Sequence, residues 1–208
     1  AQELEKDRYG PKVLLTPEGR IIKLFRRKRH LSMNSLYPYA RRFQRNAQRL
    51  QRYGVPTVQV EAVYRCPAIE RDLVVYPLLT GSPLRQYLQT AGNGRSILGE
   101  LAEFVARLHH KGIYFRSLHL GNILRHPEGE LMLIDVADLR FLWLPMSPLG
   151  RARNFRHLFR YPQDLAIIRH YGLKRFLARY LLSSGISPWS AKVLLSRLMQ
   201  KRAADGQN

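Results

Sequence analysis

Lys23, Asn122 and Asp135 are the residues whose types and settings best suit chemistry on phosphate. The stretch 112–135 reads GIYFRSLHLGNILRHPEGELMLID. A helix ends there, a loop carries Arg116, Ser117, His119 and Asn122, and a β-hairpin then delivers Asp135. Asn122 and Asp135 are oxygen donors, one on each side of the hairpin turn. Mg²⁺ takes few protein oxygens and completes its shell with water and substrate phosphates, so two such ligands suffice. Phosphoryl transfer needs that ion, a cation on the phosphates and a group that positions the attacking hydroxyl. Lys23 lies in the apolar run IIKLF. It is either an edge-strand residue or one whose ammonium points into a cleft. Taken singly, Asn122 also reads as a loop cap and Asp135 as a turn residue. Their joint spacing behind the Arg116/His119 loop is what points to a site.

The elements that must position these residues follow from the hydrophobic pattern. Residues 1–10 read as a loosely ordered lead-in. KVLLT (12–16) and RIIKLF (20–25), separated by Pro17-Glu18-Gly19, predict a hairpin. A basic, turn-rich segment follows. Leu36, Ala40, Phe43, Ala47 and Leu50 recur at three- and four-residue steps with arginines between them, which predicts an amphipathic helix closed by Gly54. Strands are expected near 58–64 and 73–78, completing a β-β-α-β-β order. A short helix at 83–90, a loop at 91–94 and a helix over 97–108 come next. Short strands at 122–124 and 131–135 flank the turn at 127–130, and amphipathic helices are expected at 164–182 and 188–202. A boundary near 79–83 divides the chain into 1–80 and 81–208.

These residues carry a resemblance. RSLHLGN is similar to the protein-kinase-like catalytic loop H-R-D-x-x-x-x-N, with Phe115, Arg116, Ser117 and Asn122 in the four marked places. IDVAD resembles the strand that ends in a metal-binding Asp, here Asp135, and RIIKLF resembles the strand that carries the nucleotide lysine, here Lys23. The loop YFRSLHLGNI and the short length look most like the lipopolysaccharide core kinases of Gram-negative bacteria, the Kdo and heptose kinases and the InaA-type toluene tolerance proteins. The resemblance covers roughly residues 10–180. It implies an α+β, two-lobed fold with a small β-rich N-lobe bearing one helix and a short, mostly helical C-lobe. It also implies ATP and Mg²⁺, with Lys23 on the phosphates, Asn122 and Asp135 on the metal, and Arg116 bracing the loop. The activity it implies is transfer of the γ-phosphate to a sugar hydroxyl of the lipopolysaccharide core.

The sequence departs from that pattern at definite places. Ser117 stands where the family has its catalytic acid, and a serine hydroxyl is no base at neutral pH without help. His119 and Asp138 are the alternative groups to orient the acceptor. His119 reads equally as a structural loop histidine. The helix glutamate that pairs with the strand lysine is absent, leaving Asn46 or Gln44 in that region, and no G-x-G-x-x-G stands near Gly10. His109 and His110, at a helix C-terminus where the dipole favours a cation, read as structural. The missing acid motivates a second reading, a pseudokinase that serves as scaffold or nucleotide sensor in envelope stress.

Charge bears on partners. The chain of 208 residues has 35 Lys and Arg against 15 Asp and Glu, a formal net charge of +20. No acid occurs from Gly19 to Val60, and Asp164 is the only one between Asp138 and Asp205. Such a chain attracts an anionic inner-membrane surface or an acidic glycan. A nucleic-acid-binding protein is a weaker reading, because no RNP motif, zinc finger or aromatic-basic stripe is present. Hydrophobic residues at 45% supply a real core and argue against disorder. Cys66 is the only cysteine, which excludes an internal disulfide. The opening AQELEKDRYG is polar and no apolar run reaches about 18 residues, so a cytoplasmic protein, peripheral on the inner membrane, is expected.

Overall fold

The computed structural model describes residues 1–27, 38–90, 92 and 94–205, the side chains from 201 onward excepted. The architecture is α+β: an N-terminal antiparallel five-stranded sheet with one helix, then a mostly helical C-terminal region. The chain forms two compact units. The first is Ala1–Gly81 with Met132–Asp138, and the second is Ser82–Leu131 with Leu139–Asn208.

In the first unit the strands β1 (Gln2–Asp7), β2 (Gly10–Leu15), β3 (Arg20–Arg26), β4 (Ala62–Cys66) and β5 (Arg71–Pro77) lie in the order β1-β2-β3-β5-β4. β1 corrects the expected loose lead-in. QELEKD is exposed throughout, but its backbone pairs with β2 from Gln2–Leu15 to Asp7–Gly10. Such an edge strand is held by ladder hydrogen bonds and leaves no apolar alternation to read. β3 is central, with Lys23 opposite Val13 on one side and Val74 on the other. Lys23 is therefore not an edge residue.

The amphipathic helix α1 (Tyr39–Arg52) covers this sheet. Its buried stripe is Ala40, Phe43, Asn46, Ala47 and Leu50, spaced for one helical face. Phe43 packs on Phe25 of β3 at 5.8 Å and on Tyr76 of β5 at 5.7 Å between ring centroids. Side chains of this size contribute about 1.5–3 kcal/mol each on burial. Gly54 (φ 62°) ends the helix: its N–H bonds the Gln51 carbonyl, and Val55 N–H bonds the Leu50 carbonyl. The left-handed cap needs a residue without Cβ. Leu36, expected on this helix, and the basic segment before it fall on 28–37, outside the described residues, as do 91 and 93 of the expected loop.

Residues 132–138 join the same unit. Leu133 N–H bonds the Pro56 carbonyl at 2.9 Å, and Thr57 Oγ1 donates to the Leu133 carbonyl at 2.7 Å. Val136–Asp138 form a short 3-10 turn against α1.

The second unit contains β6 (Ser82–Pro83), α2 (Leu84–Thr90), α3 (Gly94–His110), β7 (Ile113–Phe115) and β8 (Ile123–Arg125). After β9 (Leu131–Leu133), which straddles the division, come β10 (Leu139–Phe141), α4 (Pro148–Leu158), α5 (Pro162–Tyr171), α6 (Leu173–Ser184) and α7 (Pro188–Asp205). Ile97, Leu98, Leu101, Phe104, Val105 and Leu108 form the buried face of α3. The pairing of β7 with β10 is not apparent in the hydrophobic pattern, since each strand has three residues. The single helix expected over 164–182 is two helices, because Gly172 (φ 118°) breaks it.

Candidate functional site

Lys23 and Asp135 meet. Lys23 Nζ donates to Asp135 Oδ1 at 2.8 Å, across 112 positions of sequence. The ammonium also lies 5.8 Å from the ring centroids of Phe25 and Phe43. The strand pleat puts Lys23 and Phe25 on the α1 side of the sheet, so a sequence position flanked by apolar residues delivers a cation under the helix. Its stem is packed on aromatic rings and its head is paired, the usual solution for a lysine of low exposure.

Asp135 is not the last residue of a strand. β9 ends at Leu133, and Asp135 has φ 56°, in the left-handed region that a non-glycine residue seldom adopts. The Cβ penalty is about 1–2 kcal/mol, smaller for Asp than for most residues. Neighbouring contacts hold the bend. Asn46, buried on α1, donates through Nδ2 to the carbonyls of Val136 at 2.8 Å and Ala137 at 3.1 Å. Arg42, one turn earlier, bonds Asp138 Oδ1 at 3.0 Å. The position expected to lack a glutamate thus holds an asparagine that pins backbone rather than the lysine. Asp138, a candidate acceptor-orienting group, is engaged by Arg42.

A cavity of about 270 Å³ opens beside this pair. Lys12, Lys23, Arg26 and Arg71 line it together with Asp7, Asp135 and Asp138. Lys12 is paired with Glu5, and Arg71 donates to the backbone carbonyls of Tyr9 and Pro11. Such a lining suits phosphate oxygens and a hard cation better than an apolar ligand. Burial, reinforced by the charges of Asp135 and Glu5, pushes the Tyr76 phenol well above its ordinary range, so that residue stays neutral.

The second unit holds the loop 116–122. Asn122 ends a 3-10 turn and donates through Nδ2 to the Ser117 carbonyl at 2.9 Å. That bond orients the amide and directs its function toward the carbonyl oxygen, the atom a hard metal would use. His119 accepts the Gly121 N–H at Nδ1, 3.1 Å away, and its ring meets Tyr161 edge-on at 4.9 Å. With Nδ1 accepting, neutral His119 carries its proton on Nε2. A ring nitrogen that accepts a backbone N–H is a structural contact, and Nδ1 is thereby engaged.

The main brace of this loop is Asp164, which sequence reasoning left without a role. Asp164 is fully buried, accepts from Arg85 Nε at 2.6 Å and Arg85 Nη2 at 3.1 Å, and accepts the Leu120 N–H at 3.0 Å. Its signal was present: it is the lone acid in a stretch of otherwise cationic sequence. Arg116, expected to brace the loop, is exposed. With Arg160, Arg156 and Arg153 it lowers the His157 pKa, after burial as the main cause.

His109 is structural, but not as a cation at a helix end. It is fully buried, hydrogen-bonded to Tyr180 Oη at 2.8 Å and Asn154 Oδ1 at 3.0 Å, and burial with Arg151 nearby lowers its pKa to about 3. Desolvation outweighs the helix dipole here.

Lys23, Asp135 and Asp138 therefore belong to the first unit, and Arg116, Ser117, His119 and Asn122 to the second. Among the described residues no group of three or more His, Cys, Asp or Glu is placed to hold a metal by itself. Among them, too, no helix is long and apolar enough to cross a membrane. No protein-family model and no curated protein matches the sequence.

Proposed function

We propose that the chain is an ATP-dependent phosphotransferase of protein-kinase-like plan, acting on a sugar hydroxyl of the lipopolysaccharide core. The observation that carries the nucleotide part is the Lys23–Asp135 pair, with Asp135 held in a left-handed bend beside a cavity lined by cations and carboxylates together. A lysine and a carboxylate in contact before ligand arrives are the two charges that a metal–triphosphate would separate and share. Lys23 is the cation for phosphate oxygens. Asp135 in the first unit and Asn122 in the second are the oxygen donors that the resemblance assigns to Mg²⁺, an ion that would neutralise phosphate charge when bound. Lys12, Arg26 and Arg71 add positive potential around the phosphates. Asp164 and Arg85 hold the loop that presents Ser117 and His119 to the acceptor. The sugar acceptor rests on the resemblance of YFRSLHLGNI to the lipopolysaccharide kinases and on the positive charge of the chain.

One observation favours the pseudokinase reading as the alternative. Each group that replaces the missing base is occupied or weak: Asp138 is bonded to Arg42, His119 accepts a backbone N–H at Nδ1, and Ser117 lacks basicity. Incubation with γ-³²P-ATP, Mg²⁺ and purified core oligosaccharide distinguishes the two. Labelled oligosaccharide is the expected product. Metal-dependent ATP binding with no label transferred would support the scaffold or sensor instead.

A further inference from the structure

We infer that the strap 142–146, with Trp143 and Leu144 at its tip, is an interfacial anchor that inserts into an anionic bilayer surface. Trp143 is 103% exposed, Leu144 75% and Leu142 44%. A mobile loop would make this unremarkable, but the backbone is tied at both ends. Leu142 N–H bonds the Gly112 carbonyl at 2.8 Å, and Met146 N–H bonds the His109 carbonyl at 2.9 Å. Arg151, itself buried, donates Nε to the Met146 carbonyl at 2.8 Å, and the Met146 side chain is buried. The strap lies directly on Gly112 (φ 68°), where a Cβ would come within 2.6 Å of the Leu144 carbonyl oxygen. The fold thus uses a glycine and three backbone tethers to hold an indole in solvent.

Charge selects the occupant. α4 begins two residues beyond the strap, and its exposed residues Leu149, Arg153 and Arg156 fall at i, i+4 and i+7 on one face. Arg140 is exposed just before the strap. From Leu139 to Ala204 the only acid is Asp164, which is buried against Arg85, so this stretch presents no carboxylate to solvent. Exposed Trp and Leu in the strap, with exposed arginines in the flanking sequence on both sides, are the residue types that an anionic membrane surface takes up: apolar rings and chains at the acyl boundary, guanidinium groups at the phosphate headgroups. A protein partner would need an apolar pocket rimmed with acids, and nothing in the strap's exposed tip favours that over lipid.

The proposal rests on the expected attraction of this basic chain to an anionic membrane surface. Its test needs neither nucleotide nor acceptor, so either can fail alone. The chain has two tryptophans, Trp143 and Trp189, and Trp189→Phe leaves Trp143 as sole reporter. With vesicles of phosphatidylglycerol and phosphatidylcholine, Trp143 emission should shift to the blue and be quenched by acyl-brominated lipid, with little change on pure phosphatidylcholine. The double variant Trp143→Ser/Leu144→Ser should bind the anionic vesicles at least about tenfold more weakly, at unchanged melting temperature. Co-sedimentation with unshifted Trp143 emission, or equal binding by the double variant, would overturn the proposal and leave charge alone. Vesicle binding absent, with self-association that Trp143→Ser abolishes, would overturn it in favour of a contact between copies of the chain.

Discussion

Asp135 holds φ 56° while its carboxylate lies 2.8 Å from Lys23 Nζ. The two features depend on one another. An extended backbone at 135 would aim the side chain elsewhere, and the bend persists because Asn46 and Arg42 of α1 hold the three residues that follow. Strain of this kind survives only where its surroundings over-determine it.

That strain is measurable. Asp135→Gly should be more stable than Asp135→Ala by about 1 kcal/mol in urea unfolding, because glycine adopts positive φ freely. Both variants lose the partner of Lys23, so the difference between them isolates the backbone. Equal stabilities would show that the bend carries no conformational cost.

Asp164→Asn should be among the most damaging single changes in the second unit. It leaves Arg85 and the Leu120 N–H facing a weaker acceptor with no charge. Breaking a buried pair costs roughly 3–5 kcal/mol, and the part exposure of Arg85 places this one at the low end, about 3 kcal/mol. Denaturant midpoints for Asp164→Asn and Arg85→Lys check it. A loss below about 1 kcal/mol in Asp164→Asn would contradict the bracing role.

Acid should destabilise the second unit through His109. Its pKa is lowered to about 3 in the folded chain and is about 6.5 when unfolded, so between those values the unfolded chain takes up the proton. The stabilisation is complete above about pH 6.5 and is lost as pH falls toward 3, with a slope of up to about 1.4 kcal/mol per pH unit. His109→Gln keeps a polar partner for Tyr180 or Asn154 without titrating. Stability curves from pH 7 to 4 should be flatter for this variant than for the wild type.

The acceptor-orienting group can be assigned by substitution. A positioned base is worth about 10²–10⁴-fold. Ser117→Asp should raise transfer to core oligosaccharide or leave it unchanged, and Ser117→Ala should change it little. His119→Ala should reduce it more, because the Gly121 N–H loses its side-chain acceptor and the loop its anchor. Loss of transfer in Ser117→Ala, with His119→Ala and Asp138→Ala active, would make serine the active group.

The helices and central strands were legible because their burial is periodic. Phe43, Ala47 and Leu50 mark α1, and the apolar face from Ile97 to Leu108 marks α3. β1 was not, since QELEKD joins the sheet by backbone alone. Nor were β7 and β10, too short to show a period. Lys23 and Asp135 stood out by residue type, but neither the bend at Asp135 nor the contact between them could be read locally, because Asn46 and Arg42 impose the geometry from far along the chain. Asp164 was visible only as an anomaly of charge. An acid kept in so basic a stretch is one with a buried partner, and here that partner is Arg85.

The most direct test of the proposed nucleotide site is thermal stability with ATP, with and without Mg²⁺, in wild type, Lys23→Met and Asp135→Asn. At ATP about 100-fold above its dissociation constant the wild type should gain about 2.7 kcal/mol, or roughly 5–10 °C in melting temperature, and only with the metal present. Lys23→Met should lose most of that gain, and Asp135→Asn should lose its dependence on Mg²⁺ while remaining folded. Equal stabilisation with and without Mg²⁺, undiminished in both variants, would contradict the assignment of Lys23 and Asp135 to a metal–nucleotide site.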